Sequence, residues 1–231
     1  MCSHFHLKKK GKSSIKSRFK LAKDPKFNGK DSDFFPSRKA LNSLAPIVIN
    51  HNDEIKLLPA RWDLIPKWWS QPLEEKNYTS YNARIETLSE KDTYKDAWKN
   101  GQRCLIPATG FYEWQNKKQM SDTRSPLKFE IQKSDYPLFA FAGIWSLFNS
   151  IDNENLYTFT IITTEADEQM LTIPHHRMPV IINTESELTW LDHKLTPEDA
   201  IEVLRESQPT LKLTQLEKPK EAREELFLDF D

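Results

Sequence analysis

The stretch Arg103-Cys104-Leu105-Ile106-Pro107-Ala108-Thr109-Gly110-Phe111-Tyr112-Glu113-Trp114 decides the fold of this 231-residue chain. Two apolar runs within and just beyond it, Cys104–Pro107 and Phe111–Gln115, have the length and composition of strands, with Gly110 between them. Three similar runs follow, separated by loops containing Gly, Asn, Asp or Lys: Leu127–Gln132, Leu138–Leu147 and Leu156–Thr163. The middle of the chain is therefore predicted to be mostly strand.

Strand and helix patterns continue on both sides of this region. Further strands are predicted at Cys2–Leu7, Pro46–Asn50, Ile55–Trp62, Met178–Ile182 and Leu211–Leu216, the second and third as a hairpin. Helices are predicted at Ile15–Leu21, Glu90–Asn100, Glu165–Leu171, Glu185–Leu191 and Pro197–Glu206. Many short strands with peripheral helices predict an α+β fold, a single domain with a curved mixed β-sheet or barrel-like core.

Charge is distributed unevenly although the net charge is -1. Residues 1–30 carry nine lysines and Arg18 against one acid, Asp24, whereas Glu217 to Asp231 carries six acids. We expect a domain over residues 1–216, including a basic loop at 8–38, followed by an acidic tail at 217–231. A basic arm is typical of a polyanion-binding protein or, equally, of a solvated loop.

Several classes of protein are excluded by composition. No apolar run approaches the 18 or so residues of a membrane helix, and no apolar segment follows the N-terminal lysines as in a secretory signal. Two cysteines, Cys2 and Cys104, do not make a disulfide framework. We expect a monomeric cytoplasmic protein without membrane contact, associated with the nucleoid when it binds DNA.

Cys2 is the first candidate for chemistry because the preceding Met1 can be removed when the second side chain is small. The mature chain would then carry an α-amino group, of ordinary pKa about 7.7–8.0, and a thiol, of about 8.5, on one residue. Such a pair captures aldehydes: the amine forms a Schiff base and the thiol closes a five-membered thiazolidine. The alternative is that Cys2 is a small buried apolar residue.

Two other side chains have the chemistry of proton carriers. Glu113 lies within an aromatic strand, where a carboxylate is either paired or raised in pKa, unless it faces solvent. His175 precedes an apolar strand and could project into a cleft as a proton shuttle, or it could be an ordinary loop residue.

Binding residues are predicted at the neighbouring motifs. Arg84 and Arg177 could hold phosphates, with Asn82 beside one of them, or form structural ion pairs. Trp68 and Trp69 are difficult to bury together, so one ring could stack on unpaired bases; alternatively, one lies in the core and one under a loop.

A metal centre is not predicted. His4, His6, His175 and His176 suggest zinc, but no carboxylate is spaced with them in a known ligand pattern. With five glycines and no glycine-rich phosphate loop, the chain also offers no nucleotide motif. We expect neither metal nor cofactor.

Five motifs together resemble one family. In chain order they are Cys2 after Met1, Arg61-Trp62-Asp63-Leu64-Ile65-Pro66-Lys67-Trp68-Trp69, Asn82-Ala83-Arg84-Ile85-Glu86-Thr87, the Arg103–Trp114 stretch, and His175-His176-Arg177-Met178-Pro179. This pattern, over roughly residues 1–190, is similar to the SOS-response-associated peptidase family of abasic-site processing proteins. Four positions depart from it: Ser3 and His4 replace the usual Gly-Arg, Asp63 stands where glycine is common, and His176 where aspartate is common.

The resemblance implies covalent capture of abasic sites in single-stranded DNA, as a DNA-protein crosslink that protects the site during the DNA damage response. By motif, Cys2 supplies amine and thiol, Asn82 orients the amine, Glu113 moves protons, and His175 assists sugar ring-opening and crosslink release. The residues implied to contact DNA are Arg84, Arg177, Trp68, Trp69, Thr163 (or its neighbour Thr164) and Pro36. Peptidase and lyase-like Schiff-base activities are also implied, although only Met1 precedes Cys2, so methionine removal replaces self-cleavage.

Two other functions fit the residues. One is an amidohydrolase or peptidase that uses the Cys2 thiolate as nucleophile and its own amine as base. The other is a non-catalytic single-strand binder that uses the basic arm and the tryptophans.

Overall fold

Five strands close a barrel in the computed structural model, which describes residues 2–8, 14–21, 44–115, 127–135, 138–149, 155–173, 175–207 and 209–216. The barrel strands are β2 (Leu44–His51), β3 (Glu54–Trp62), β5 (Arg103–Ala108), β8 (Phe139–Asn149) and β9 (Asn155–Glu165). Antiparallel pairing runs from β3 through β2, β5 and β8 to β9, and β9 then pairs in parallel with β3. The predicted α+β fold with a curved mixed sheet and a barrel-like core is thereby confirmed.

The predicted hairpin is the β2–β3 pair. Its register places His51 opposite Glu54, and the two turn residues, Asn52 and Asp53, have φ of 54° and 60°. Two left-handed residues in succession match the twist of the flanking strands, and Asn and Asp tolerate that conformation better than most side chains.

A second, four-stranded sheet lies against the barrel. It is ordered β1 (His4–His6), β6 (Gly110–Trp114), β7 (Lys128–Lys133) and β11 (Leu211–Leu216). Phe5 and Phe111 meet the barrel residue Phe141, each at a ring-centroid distance of 5.7 Å. The chain passes from β5 of the barrel through Thr109 into β6 of the second sheet, so the Arg103–Trp114 stretch joins both sheets.

Gly110 permits the close approach of β1 to β6. A Cβ atom at this position would meet Nε2 of the buried His6 at 2.6 Å and the Ile131 carbonyl oxygen at 3.1 Å. Only glycine leaves room for the first strand, which carries the N-terminal residues across the sheet.

The helices are short and peripheral: α1 (Ile15–Arg18), α2 (Lys95–Lys99), α3 (Glu168–Leu171), α4 (Glu187–Leu191) and α5 (Pro197–Arg205). Helix α5 begins as predicted, with Pro197 in its first turn and the Thr196 hydroxyl accepting from the Asp199 amide. Helix α2 begins later than the predicted Glu90, because the residues before it form separate turns, in which the Thr87 carbonyl accepts from the Lys91 amide and the Lys91 carbonyl from the Tyr94 amide. Among the described residues, no helix is long and apolar enough to span a membrane.

The remaining short elements complete the site region. Strand β4 (Asn82–Arg84) and strand β10 (Arg177–Pro179) both pair with β9, and single 3₁₀ turns occupy Leu73–Glu75, Ile85–Thr87 and Thr184–Ser186. The predicted acidic tail, Pro36 and most of the basic loop lie outside the described residues.

Candidate active site

The candidate site lies where the C-terminal end of β9 meets its two short partners. β4 runs parallel to β9 with Arg84 opposite Thr163, and β10 runs antiparallel with Met178 opposite Thr164. Three segments far apart in sequence are therefore held side by side by backbone pairing. Strand β6 of the second sheet brings Glu113 to the same region, where it contacts His175 beside β10.

Cys2 is completely buried, immediately before β1. Its Sγ lies 4.0 Å from the His4 carbonyl oxygen, and its own carbonyl accepts a hydrogen bond from Asn82 Nδ2 at 2.8 Å. Burial, together with the negative charge of Glu113, raises the pKa of the Cys2 thiol well above its ordinary value. The sulfur is therefore a neutral thiol at neutral pH, not a thiolate.

Hydrogen bonds of both its backbone and its side chain hold Asn82 in place. Its backbone carbonyl accepts from the hydroxyl of the largely buried Tyr94 at 3.0 Å, and its side-chain amide donates to Cys2. Its Oδ1 is buried and accepts no hydrogen bond from the part of the chain that the structure describes. An acceptor of this kind beside the Cys2 backbone can hold an additional donor there.

Glu113 and His175 form a buried acid–imidazole pair. Glu113 Oε2 lies 3.0 Å from His175 Nε2, and the two side chains are 3% and 12% exposed. His175 Nδ1 lies 2.6 Å from the Arg177 carbonyl oxygen, which can only accept, so Nδ1 carries a proton. The contact between Oε2 and Nε2 places a carboxylate and an imidazole within hydrogen-bond distance, so a proton can pass between them.

Arg177 and Glu86 form a fork-to-fork ion pair. The guanidinium Nη1 and Nη2 donate to the two Glu86 oxygens at 2.7 and 3.0 Å, and Nη2 also donates to the Thr163 carbonyl at 2.8 Å. Burial alone would raise the pKa of Glu86, but the hydrogen bonds and charge of Arg177, with Arg84 nearby, hold it below its ordinary value. Arg84 is exposed. One carboxylate thus lies between two arginines.

Thr163 and Thr164 differ in accessibility. Thr163 is fully buried, and its hydroxyl lies 3.4 Å from both Arg177 Nη2 and the Ala83 carbonyl oxygen. Thr164 is half-buried on the opposite face of β9. The carbonyl and hydroxyl oxygens of Thr163 therefore hold the Arg177 guanidinium from its buried side.

The two tryptophans occupy different environments. Trp68 is 51% exposed and donates through its indole N–H to the Asp92 carbonyl at 3.1 Å. Trp69 is half-buried against Tyr78, with ring centroids 5.9 Å apart, and meets Trp68 at 6.1 Å. This arrangement matches the prediction that one ring of the pair is accessible.

Sequence reasoning did not assign roles to Glu86, Tyr94 or Lys76. Glu86 belongs to the Asn82–Thr87 motif and lies two residues after Arg84. This short spacing is the sequence signal for its place beside the arginines. Nothing in the sequence indicates that Tyr94 holds Asn82, because the contact depends on the turn that precedes α2. Within the described ranges, no group of three or more His, Cys, Asp or Glu side chains could hold a metal ion.

Fold and site together define a class: an α+β barrel protein with a buried cysteine near its N-terminus and a carboxylate–imidazole pair beside it. The family model for the SOS response associated peptidase (SRAP) matches residues 1–219, and the chain belongs to this family.

Several known proteins are similar to the chain. It is 41% identical over 157 residues to the abasic site processing protein YoqW of Bacillus subtilis (strain 168), a match covering 68% of this chain and 66% of that protein. It is 31% identical over 206 residues to the abasic site processing protein HMCES of Xenopus tropicalis, covering 78% and 61%. The chain thus spans less than two thirds of the length of these curated relatives.

Solved structures share the fold. A protein from Bacteroides thetaiotaomicron superposes with a TM-score of 0.79 at 24% identity, covering 94% of this chain and 92% of that one. A protein from Bordetella bronchiseptica gives a TM-score of 0.75 at 21% identity, covering 94% and 100%.

Proposed function

We propose that this protein captures abasic sites in single-stranded DNA covalently, through Cys2 once the preceding methionine has been removed. Two relatives bear the name abasic site processing protein. The observation that carries the proposal is the arrangement around Cys2: Asn82 donates to its carbonyl, and Glu113, paired with His175, lies on β6, the strand that pairs with β1 just after Cys2. An opened abasic sugar presents an aldehyde, which is the group that an amine and a thiol on adjacent carbons capture together.

The amine reacts first in this mechanism. Its nitrogen attacks the aldehyde carbon, the aldehyde oxygen takes a proton, and loss of water leaves an imine. Asn82 Oδ1, which is buried and without a hydrogen-bond partner among the described residues, can accept from the amine and orient its lone pair toward the carbon. The raised pKa of the Cys2 thiol supports this order, because a neutral thiol is a weak nucleophile.

Closure of the ring follows. The Cys2 sulfur adds to the imine carbon, forming the C–S bond, and the thiol proton passes to nitrogen to give the thiazolidine. Glu113 is placed to relay protons during loss of water and during closure. His175 Nε2, with Nδ1 carrying the ring proton, has a lone pair that takes the hemiacetal proton as the sugar ring opens, and the imidazolium returns a proton when the crosslink is released.

The DNA strand is proposed to run along the arginine edge toward the tryptophans. Arg84 is exposed, Arg177 can exchange its Glu86 partner for a phosphate, and Trp68 offers an accessible ring for stacking. Thr163 contributes by supporting Arg177, whereas Thr164 and Pro36 remain candidate contacts. The same chemistry includes the lyase-like Schiff-base step. We also propose a peptidase activity of the chain, which the family description suggests.

The amidohydrolase alternative uses the same Cys2 but turns over a peptide or amide and leaves no stable DNA adduct. A non-catalytic single-strand binder uses the same arginines and tryptophans but forms no covalent bond. The proposed function therefore differs from both in one observable property, a covalent DNA adduct that depends on Cys2.

A denaturing gel tests the proposal. Purified protein lacking Met1 is incubated with a labelled single strand bearing one abasic site, and a heat-stable shifted band is expected. Cys2→Ala should abolish the band, whereas Cys104→Ala, a matched control at the other buried cysteine, should keep it. No band with the wild-type protein, or an undiminished band with Cys2→Ala, would overturn the proposal.

A further inference from the structure

The loop from Asp63 to Ser80 carries the Trp68–Trp69 pair but has little regular structure of its own. Its only helical turn among the described residues is the 3₁₀ turn Leu73–Glu75. The two ends meet, because the Leu64 amide donates to the Ser80 carbonyl at 3.4 Å. Something other than secondary structure must hold the tryptophans in place.

A buried ion pair crosses this loop. Asp63 is 4% exposed, and both of its carboxylate oxygens accept from Lys76 Nζ at 2.9 Å. The Lys76 side chain is 2% exposed. Asp63 Oδ1 also accepts from the Ser80 amide at 2.7 Å, so one carboxylate ties the middle of the loop to its closing end.

The backbone conformation of Asp63 is strained, which indicates that its carboxylate has a structural role. Its φ is +153°, in a region that favours glycine. A side chain kept at a strained position, and fully hydrogen-bonded there, points to a role for the bonds it makes.

A continuous set of contacts leads from this ion pair to the tryptophans. Lys76 Nζ donates to the Tyr78 carbonyl at 2.6 Å and lies 4.2 Å from the centre of the Tyr78 ring. The Tyr78 ring meets Trp69 edge-on, and Trp69 meets Trp68. Burial and the negative charge of Asp63 raise the pKa of Tyr78, in keeping with this packing. The exposed Trp68 is therefore connected to a buried anchor.

We propose that Asp63 and Lys76 are positioning residues that fix Trp69 and Trp68 in the orientation needed to stack on unpaired bases. The inference rests on the proposed single-stranded DNA role. An ordered loop does not lose its conformational freedom on binding, so the ion pair contributes to DNA affinity without touching DNA. The amine chemistry at Cys2 is not expected to depend on it.

The test uses the double variant Asp63→Gly/Lys76→Met, because either single change would leave an unpaired buried charge. The double change keeps the net charge and relieves the strained backbone. Because the Ser80 amide and hydroxyl lose their acceptor and Arg61 loses a carboxylate at 3.9 Å, the thermal unfolding temperature is measured first and the binding assays are run well below it. The Kd for an intact oligothymidylate is expected to rise about tenfold, the loss of part of a stacking contact. The crosslinking rate at saturating abasic strand should stay within about twofold.

A matched control is Glu54→Gln/Lys56→Met, which removes an exposed ion pair of 3.3 Å from β3, also without changing net charge. It should leave the Kd unchanged. A Kd of the Asp63–Lys76 double variant equal to the wild type, or an equal loss in Kd and saturating rate, would overturn the inference. If the wild type forms no covalent adduct but the Kd difference persists, the proposed capture fails and the positioning role stands.

Discussion

Removing the negative charge at Glu86 should tighten binding of single-stranded DNA. Both guanidinium nitrogens that face Glu86 are engaged, at 2.7 and 3.0 Å, so a phosphate must displace the carboxylate to reach Arg177. In Glu86→Gln the amide cannot form a charged pair, and Arg177 becomes available. The Glu86 side chain is 45% exposed, so the lost pair should cost under about 1 kcal/mol of folding stability.

The expected gain follows from counterion release. Each additional phosphate neutralised steepens the dependence of log K on log salt by about 0.7 for a single strand. Measured at about 0.1 M salt and referred to 1 M, this slope corresponds to about fivefold tighter binding. Adding Arg177→Gln to Glu86→Gln should cancel this gain and return both the slope and the affinity to near the wild-type values.

Fluorescence anisotropy of a labelled intact strand, titrated over a range of salt concentrations, measures both quantities without contributions from crosslinking. Glu202→Gln is the matched control, because Glu202 pairs with Arg205 at the same 2.7 Å on an exposed helix face. It should change neither the affinity nor the slope beyond the general effect of one charge. If Glu86→Gln behaves like Glu202→Gln, Arg177 does not bind phosphate and the proposed DNA path is wrong.

Three further predictions concern the reacting residues and the fold. Glu113→Gln should slow crosslinking about 10²–10⁴-fold in single-turnover gels while leaving the Kd for intact strands unchanged; equal losses would indicate a structural role. His175→Ala should slow release of a preformed crosslink to a competitor aldehyde, and an unchanged release rate would remove it from the mechanism. Burial raises the pKa of Glu187 to about 7 despite the neighbouring Arg18. Between the ordinary Glu pKa and about 7, the folded chain therefore holds a proton that the unfolded chain has lost. Folding stability falls as the pH rises through this window. That gap corresponds to about 3 kcal/mol, and urea unfolding should show the slope reduced in Glu187→Gln; an equal slope in both proteins would contradict the assignment.

The strands were predictable from sequence because each buries alternating or continuous apolar side chains. Leu211–Leu216 is the same strand in prediction and structure, and Phe5 lies on the core face of β1 opposite His4 and His6, as its alternation indicates. Helix α2 is shorter than its pattern, because the residues before Lys95 form separate hydrogen-bonded turns, which apolar periodicity does not distinguish from a continuous helix.

The residues of the candidate site could be proposed from sequence, but the contacts among them could not. Motifs single out Cys2, Asn82, Glu113 and His175 as candidates, yet the short distance between Glu113 and His175 arises only when the second sheet packs against the barrel. The ion pair of Arg177 with Glu86 likewise depends on β4 and β10 sharing β9 as a neighbour. Local sequence carries no record of such pairings, since each joins residues far apart in the chain.

The chemistry at Cys2 is the central claim, and Cys2→Ser separates its two halves. Serine retains the α-amine but not the sulfur, so an imine with the abasic strand should still form. This adduct should become permanent only after borohydride reduction, and it should hydrolyse on heating without the reductant. A heat-stable adduct of Cys2→Ser without reductant would mean that the sulfur is not part of the bond.

Peptide mapping of the wild-type adduct tests the claim most directly. After nuclease and protease digestion, mass spectrometry should find the sugar remnant on an N-terminal peptide that lacks Met1 and begins at Cys2. Its sulfur should resist iodoacetamide, because both the amine and the thiol of that residue are bonded to the sugar carbon. A remnant on a lysine, or on a Cys2 whose thiol is still alkylated, would contradict the account.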